Sequence, residues 1–160
     1  MAASVRRYAA AQPGQLTELR LLMELSALRR LADRGLSDQE LALVTKLAGD
    51  TVRLARGGDV AGYQRADVDF HLCLLELTDD PALAGIARLL LAPDRSSAPR
   101  AELMRREARE HRELAGLLAG GMVSAADHLL RLHLSRTQDL AAWPSAALVA
   151  GPVSIGRTGA

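Results

Sequence analysis

Asp67-Val68-Asp69-Phe70-His71 lies near the middle of the chain, and the rest of the sequence is best read outward from it. The i,i+4 spacing of Asp67 and His71 sets them on one side of a helix, about one turn apart. Tyr63, Phe70 and Leu74 share that side. A carboxylate and an imidazole therefore point the way the apolar stripe points, toward the interior. His111 and His133 hold equivalent positions on two later predicted helices. Taken singly, each of the four is better explained as an ordinary polar residue, paired in a core or half exposed. Taken together they favour a metal site, because burying one acid and three histidines without a shared partner is costly.

The totals agree with a helical frame. The chain has 160 residues, enough for one domain with a real core. Apolar residues make up 49% but aromatics only 2%, so the core must be built from Leu, Ala and Val. That composition, almost without β-branched runs, predicts an all-α fold, an antiparallel bundle of about six to seven helices. The net charge of +1 gives no global field for nucleic acid, and acids and bases alternate through Arg105-Arg106-Glu107 and Arg109-Glu110-His111-Arg112-Glu113. The chain alone is expected to bind DNA weakly and without sequence preference. Cys73 is the single cysteine, so no internal disulfide can form. It points about 160° away from His71 and reads as a small core residue. There is no membrane-spanning run and no signal-peptide core, and the expected location is the cytoplasm.

Helix signals divide the chain. Residues 1–14 read as a linker or a loosely held first turn. A helix is predicted from Gln15 to Arg34, with Leu19, Leu22, Leu25 or Ser26, and Arg29 at helical spacing, widened by Leu21, Leu28 and Leu31; Gly35 ends it. Ser37-Asp38-Gln39-Glu40 is a capping box that opens a second helix, with Leu36 placed to staple onto Leu41. Its stripe is Leu41, Val44, Leu47 or Ala48, and Val52, and Gly57-Gly58 stops it. Asp59 caps a third helix running to about Leu77, and Asp80-Pro81 opens a fourth that uses Leu83, Ile86, Leu90 and Leu91. Residues 92–99 form a Pro- and Ser-rich loop. A fifth helix, about Arg100 to Ala119, carries Met104, Ala108, His111, Leu114 or Ala115, and Leu118 on one side. Ser124 begins a sixth, with Asp127 as an acid for its first turn and Ala126, Leu129 or Leu130, His133, Thr137 and Leu140 inward. His128 falls about 140° from His133 and reads as a surface residue. The bundle is expected over 15–142 and a disordered tail over 143–160.

At this point the chain resembles a known family, the all-α effector-binding FCD domain of FadR-class GntR-type transcription regulators. The matching pieces are Glu18-Leu19-Arg20, Met23-Glu24 and Ala27-x-Arg29 in the first helix, Asp67-x-x-Phe70-His71 in the third, Glu110-His111 in the fifth and Leu132-His133-Leu134 in the sixth. Each is weak alone; their order and the 22-residue step from His111 to His133 make the set fairly specific. The resemblance implies a divalent metal held by Asp67, His71, His111 and His133. It also implies a small organic acid effector gripped by that metal and Arg20, and a homodimer. A guanidinium suits that role, since its planar fork can hold a carboxylate with two hydrogen bonds. A structural ion pair with Glu24, one turn on, explains Arg20 equally well. Imidazole and carboxylate ligands suit Zn, Ni, Fe or Mn about equally.

Two features depart from the family pattern. Its members usually carry a winged helix that binds DNA, for which there is no room before residue 15; DNA contact is expected only through such a domain. Asp79-Asp80-Pro81 also stands where Gly-Asn-Pro is frequent, so an extra acid could alter effector choice, and the 92–99 loop is short. Metal-dependent sensing, without catalysis, is the leading expectation. The alternative is a bundle-type metalloenzyme built on the same three histidines and one aspartate, for which Glu110 is the only tempting base, turned about 100° from His111. A purely structural helical module is the third.

Overall fold

The structure is a computed structural model that describes residues 13–91 and 100–138, with side chains described from 18 to 136 within those limits. It contains six helices and no strand among the described residues: α1 Pro13–Arg34, α2 Asp38–Gly57, α3 Val60–Glu76, α4 Pro81–Leu90, α5 Ala101–Ala119 and α6 Val123–Gln138. The all-α reading holds. Residues 1–12 of the expected linker or first turn, the loop at 92–99, Leu140 and the tail lie outside the described residues, as does the side chain of Thr137, while Pro13 and Gly14 belong to α1.

The boundaries follow local chemistry. Ser37 Oγ accepts from the Glu40 amide at 3.3 Å while Glu40 Oε2 accepts from the Ser37 amide at 2.7 Å, so the capping box forms. Ser37→Ala removes one half of it and is expected to cost about 1 kcal/mol of stability, measurable by urea denaturation; no change in midpoint would show the box to be idle. Gly58 closes α2 at φ +71°, the left-handed conformation glycine adopts without a Cβ clash. Asp59 accepts from the Gly62 amide at the start of α3.

Asp80 accepts from the Ala82 and Leu83 amides, both at 3.1 Å, and pairs with Arg30 of α1 at 3.2 Å. It is therefore spent as a helix cap. Asp79 takes φ +55°, a left-handed conformation that glycine adopts most readily. Asp is among the residues that tolerate it best, because its short polar side chain can bond locally. Asp127 differs from its expected role as well. It reaches across to Arg29 of α1 at 2.9 Å and back to Arg131 at 2.7 Å, joining α1 to α6.

The main core joins α1, α2, α3, α5 and α6 through Leu25, Leu28, Leu31, Val44, Ala48, Phe70, Leu74, Leu114, Leu130 and Leu134. Met23, Ala27, Leu75, Ala87 and Leu91 pack α4 onto α1 and α3. Tyr63, Ala55, Met104 and Ala108 close the far end between α2, α3 and α5. The α1 stripe agrees with the sequence reading in part. Leu25, Leu28 and Leu31 are buried, but Leu19 and Leu22 are 41% and 59% exposed, and Met23, Glu24 and Ala27 complete the buried face. The cause is that α1 is covered on two sides, by α6 and by α3 with α4, so its buried arc is set by those neighbours. Ile86 on α4 is also exposed, while Leu91 and Ala87, with Leu83 and Leu90 packed against them, make the α4 contact. Cys73 is buried in the main core, and burial pushes its thiol up to about 11. No described helix is long and apolar enough to cross a membrane.

Candidate metal centre

α3, α5 and α6 bring His71, His111 and His133 together in the interior, all fully buried or nearly so. Their Nε2 atoms are mutually 3.1, 3.2 and 3.2 Å apart. Asp67, one turn before His71 on α3, places Oδ1 3.5 Å from His111 Nε2 and 3.9 Å from His71 Nε2. One ligand atom from each of the four lies within 4.8 Å of the others. The four residues read from the sequence are thus brought to one point. His128 is exposed on α6, as expected.

The opposite edge of each ring is held as well. His71 Nδ1 meets Glu24 Oε2 at 2.6 Å, His133 Nδ1 meets Glu110 Oε2 at 2.8 Å, and His111 Nδ1 meets Thr51 Oγ1 at 3.2 Å. Thr51 donates its own hydroxyl proton to the Ala48 carbonyl at 2.8 Å, so toward His111 it can only accept. The partners therefore assign the tautomer: every Nδ1 carries the proton and donates it, and every Nε2 is unprotonated. Phe70 stacks on the His111 ring at 4.4 Å between centroids and fixes its plane.

This donor set fits a cation. Three unprotonated nitrogens crowded to 3.1–3.2 Å repel one another unless something positive lies between them. With metal–nitrogen bonds of about 2.1 Å, adjacent ligand nitrogens fall about 3.0 Å apart in an octahedral site and about 3.4 Å in a tetrahedral one. The observed spacing sits between the two. Holding each ligating imidazole through its other ring nitrogen is the arrangement that orients metal-binding histidines and raises their basicity.

Burial favours the neutral form of His71 and His111. Burial pushes the His71 imidazole down, partly offset by Glu24, and pushes His111 well down, helped by the other two histidines. Burial alone would raise Glu24, but His71 and Arg20 override it and hold the carboxyl at about 2. Arg20 Nε donates to Glu24 Oε1 at 2.6 Å, so the ion pair expected from the sequence forms, and it also ties Arg20 to the His71 ring. Glu110 is held low by His133 despite burial, and it accepts from Arg136 at 2.9 Å.

Glu24, Thr51 and Glu110 are the residues around the centre whose roles sequence reasoning missed. Glu24 is a charged residue inside the buried arc of α1, between Met23 and Leu25. Thr51 continues the small-residue stripe Val44, Ala48, Ala55 of α2. Both positions were legible as polar groups on apolar faces. Glu110, weighed only as a base for the metalloenzyme alternative and turned away from His111, anchors His133.

A helical bundle with a buried three-histidine, one-carboxylate cluster, each imidazole braced from behind, defines the class. The family model for the FCD domain matches residues 15–136, and the chain belongs to that family, the domain of GntR-type regulators that the sequence resembles. No functionally curated protein matches it. Among solved structures it is similar to Lar, described as controlling expression of the Listeria monocytogenes agr system and mediating virulence. The TM-score is 0.71 and the identity 19%, with 86% of this chain and 64% of that one covered. It is also similar to E. coli McbR/YncC, with a TM-score of 0.69 and 19% identity over 81% of this chain and 64% of that one. At that identity the likeness is one of fold. The chain spans a little under two thirds of the length of either protein.

Proposed function

We propose that this chain is the metal-dependent, small-carboxylate-sensing domain of a GntR-type transcription regulator. The observation that carries the reading is the convergence of three Nε2 atoms at 3.1–3.2 Å while every Nδ1 is held by Glu24, Thr51 or Glu110. Asp67, His71, His111 and His133 would hold a divalent transition metal such as Zn, Ni, Fe or Mn. A bound metal supplies a positive, ligand-accepting centre for an acid. Arg20 engages Glu24 through Nε, which leaves its two Nη groups for a carboxylate. Burial opposes the Arg20 charge, but Glu24, Asp67 and Glu107 raise its pKa beyond the ordinary value, so it stays cationic.

In a full regulator the domain would act as a homodimer in the cytoplasm and bias a separate winged-helix domain toward or away from DNA. Leu19 and Leu22 on α1 and Ile86 on neighbouring α4 offer exposed apolar surface for a second copy. The metalloenzyme alternative is weakened because Glu110, the base it needed, is bound to His133 and Arg136.

The test combines elemental analysis with a thermal-shift screen of small organic acids on the wild type and Arg20→Ala. Arg20→Ala is expected to retain its metal and to lose the rise in melting temperature that acids give the wild type. An undiminished acid response in Arg20→Ala would remove Arg20 from the effector site. Oxygen- or water-dependent turnover of an acid by the metal-loaded chain would favour the enzyme.

A further inference from the structure

Glu107 lies one turn before His111 on α5, and Tyr63 lies one turn before Asp67 on α3. The two helices meet in two adjacent rungs. In one, Asp67 Oδ1 stands 3.5 Å from His111 Nε2. In the next, Tyr63 Oη donates to Glu107 Oε2 at 3.0 Å. Glu107 is only 4% exposed, and its second oxygen, Oε1, is buried with no hydrogen-bond partner among the described residues. Two other acids around the centre are compensated: Glu24 by Arg20 and His71, Glu110 by Arg136 and His133. Glu107 forms no ion pair among the described residues. Its rung lies one helical turn from the Asp67–His111 rung on the same two helices, and its charge, like that of Asp67, is felt by Arg20. Burial and the nearby Asp67 push its carboxyl upward, the direction expected of an acid without a cation.

A buried carboxylate oxygen left without a donor costs free energy in the empty protein and recovers it when a donor arrives. A plain carboxylate brings none; it would add a further anion beside Asp67 and Glu107. An ammonium group brings both a donor and a compensating charge. We propose that Glu107 determines the specificity of this site and that the effector is an amino acid, its carboxylate taken by Arg20 and the metal and its ammonium group by Glu107 Oε1. This rests on the carboxylate-sensing reading and names the ligand class within it.

The test uses the metal-loaded chain and matched probes, alanine against propionate and 4-aminobutyrate against butyrate, followed by calorimetry and thermal shift. The amino member of at least one pair is expected to bind at least ten-fold more tightly than its plain partner. Glu107→Gln keeps an acceptor for Tyr63 and replaces the free oxygen by an N–H donor. It should retain metal and fold, erase the amino preference, and bind the plain acid as well as or better than the wild type. Plain acids that bind as tightly as their amino analogues in both pairs, or an amino preference unchanged by Glu107→Gln, overturn the role of Glu107 and leave carboxylate sensing standing. Failure of every probe of both kinds, with Arg20→Ala equally silent, overturns the sensing reading and this inference with it.

Discussion

Replacing His71, His111 or His133 by Ala is expected to abolish tight metal binding and to remove the stabilisation that metal confers. A ligand bound only by the native state stabilises it by about 4 kcal/mol when present at roughly a thousand times its dissociation constant. For a domain of this size that is a melting temperature change on the order of 10 °C. Each imidazole is buried, so each variant also creates a cavity, and a fall in stability alone would not identify the metal. The discriminating comparison is with chelator. Wild-type protein should lose roughly the same 10 °C to chelation, whereas the three variants should be indifferent to it. Asp67→Ala should weaken binding by removing the one charged ligand. His128→Ala, on the exposed face of α6, should behave as wild type.

Acid should act in the same sense. Burial holds His71 and His111 below their ordinary value near 6.5, so the unfolded chain takes up protons that the folded chain refuses. Their contribution is fully present above about 6.5 and declines as the pH falls below it. Ligation needs the same neutral imidazoles, so the chelator-sensitive part of the melting temperature should shrink below about pH 6. An increment that persists unchanged at pH 5 would count against histidine ligation.

Glu24→Ala is expected to be the most damaging change outside the ligand set. The Glu24 carboxylate holds the Arg20 guanidinium with one oxygen and the His71 Nδ1 proton with the other, each at 2.6 Å. Its removal strands a largely buried cation and a buried ring donor together. Breaking a buried pair in this way costs about 3–5 kcal/mol. Loss of the partner behind a ligating histidine lowers metal affinity by roughly 10–100-fold. Arg20 loses its anchor too, so the acid response should fall along with the metal. Arg20→Ala, by contrast, should lower stability, because Glu24 stays buried without its cation, and should lose the acid response while keeping its metal. Because Glu24 is held at about 2, against 4.5 ordinarily, its contribution is present above about 4.5 and is lost as the pH falls toward 2. Urea denaturation and metal titration of Glu24→Ala, Glu24→Gln and Arg20→Ala would separate these effects. Wild-type metal affinity in Glu24→Ala would show that His71 needs no support from α1.

The sequence carried the four clustered residues well and their supports poorly, for a physical reason. Asp67 and His71 announce each other through i,i+4 spacing, and His111 and His133 fall on stripes that a 3.6-residue period exposes. Partners such as Glu24, Thr51 and Glu110 act across helices, and no spacing within one helix reveals which ring they will meet. Glu110 was visible, but its direction on α5 spoke against a role at His111; its target is His133 on α6. The caps at Ser37, Asp59 and Asp80 were equally legible, since a cap is settled within four residues. Asp127 was not, because Arg29 lies 98 residues away in sequence. Leu25, Leu28 and Leu31 of the α1 stripe are buried as read, but Leu19 and Leu22 satisfy helical period as well as Met23 and Ala27 do. Only the placement of α3, α4 and α6 around α1 chooses between the two arcs.

One divalent ion is expected to belong at the cluster of His71, His111, His133 and Asp67, and the rest of the functional reading depends on it. Equilibrium dialysis of the wild-type chain and His111→Ala against Zn, Mn and Ni, read by elemental analysis, tests this most directly. The expected result is one ion retained per wild-type chain for at least one of these metals, and none in His111→Ala. A wild-type chain that retains none of them, or a variant that retains as much as the wild type, would contradict it.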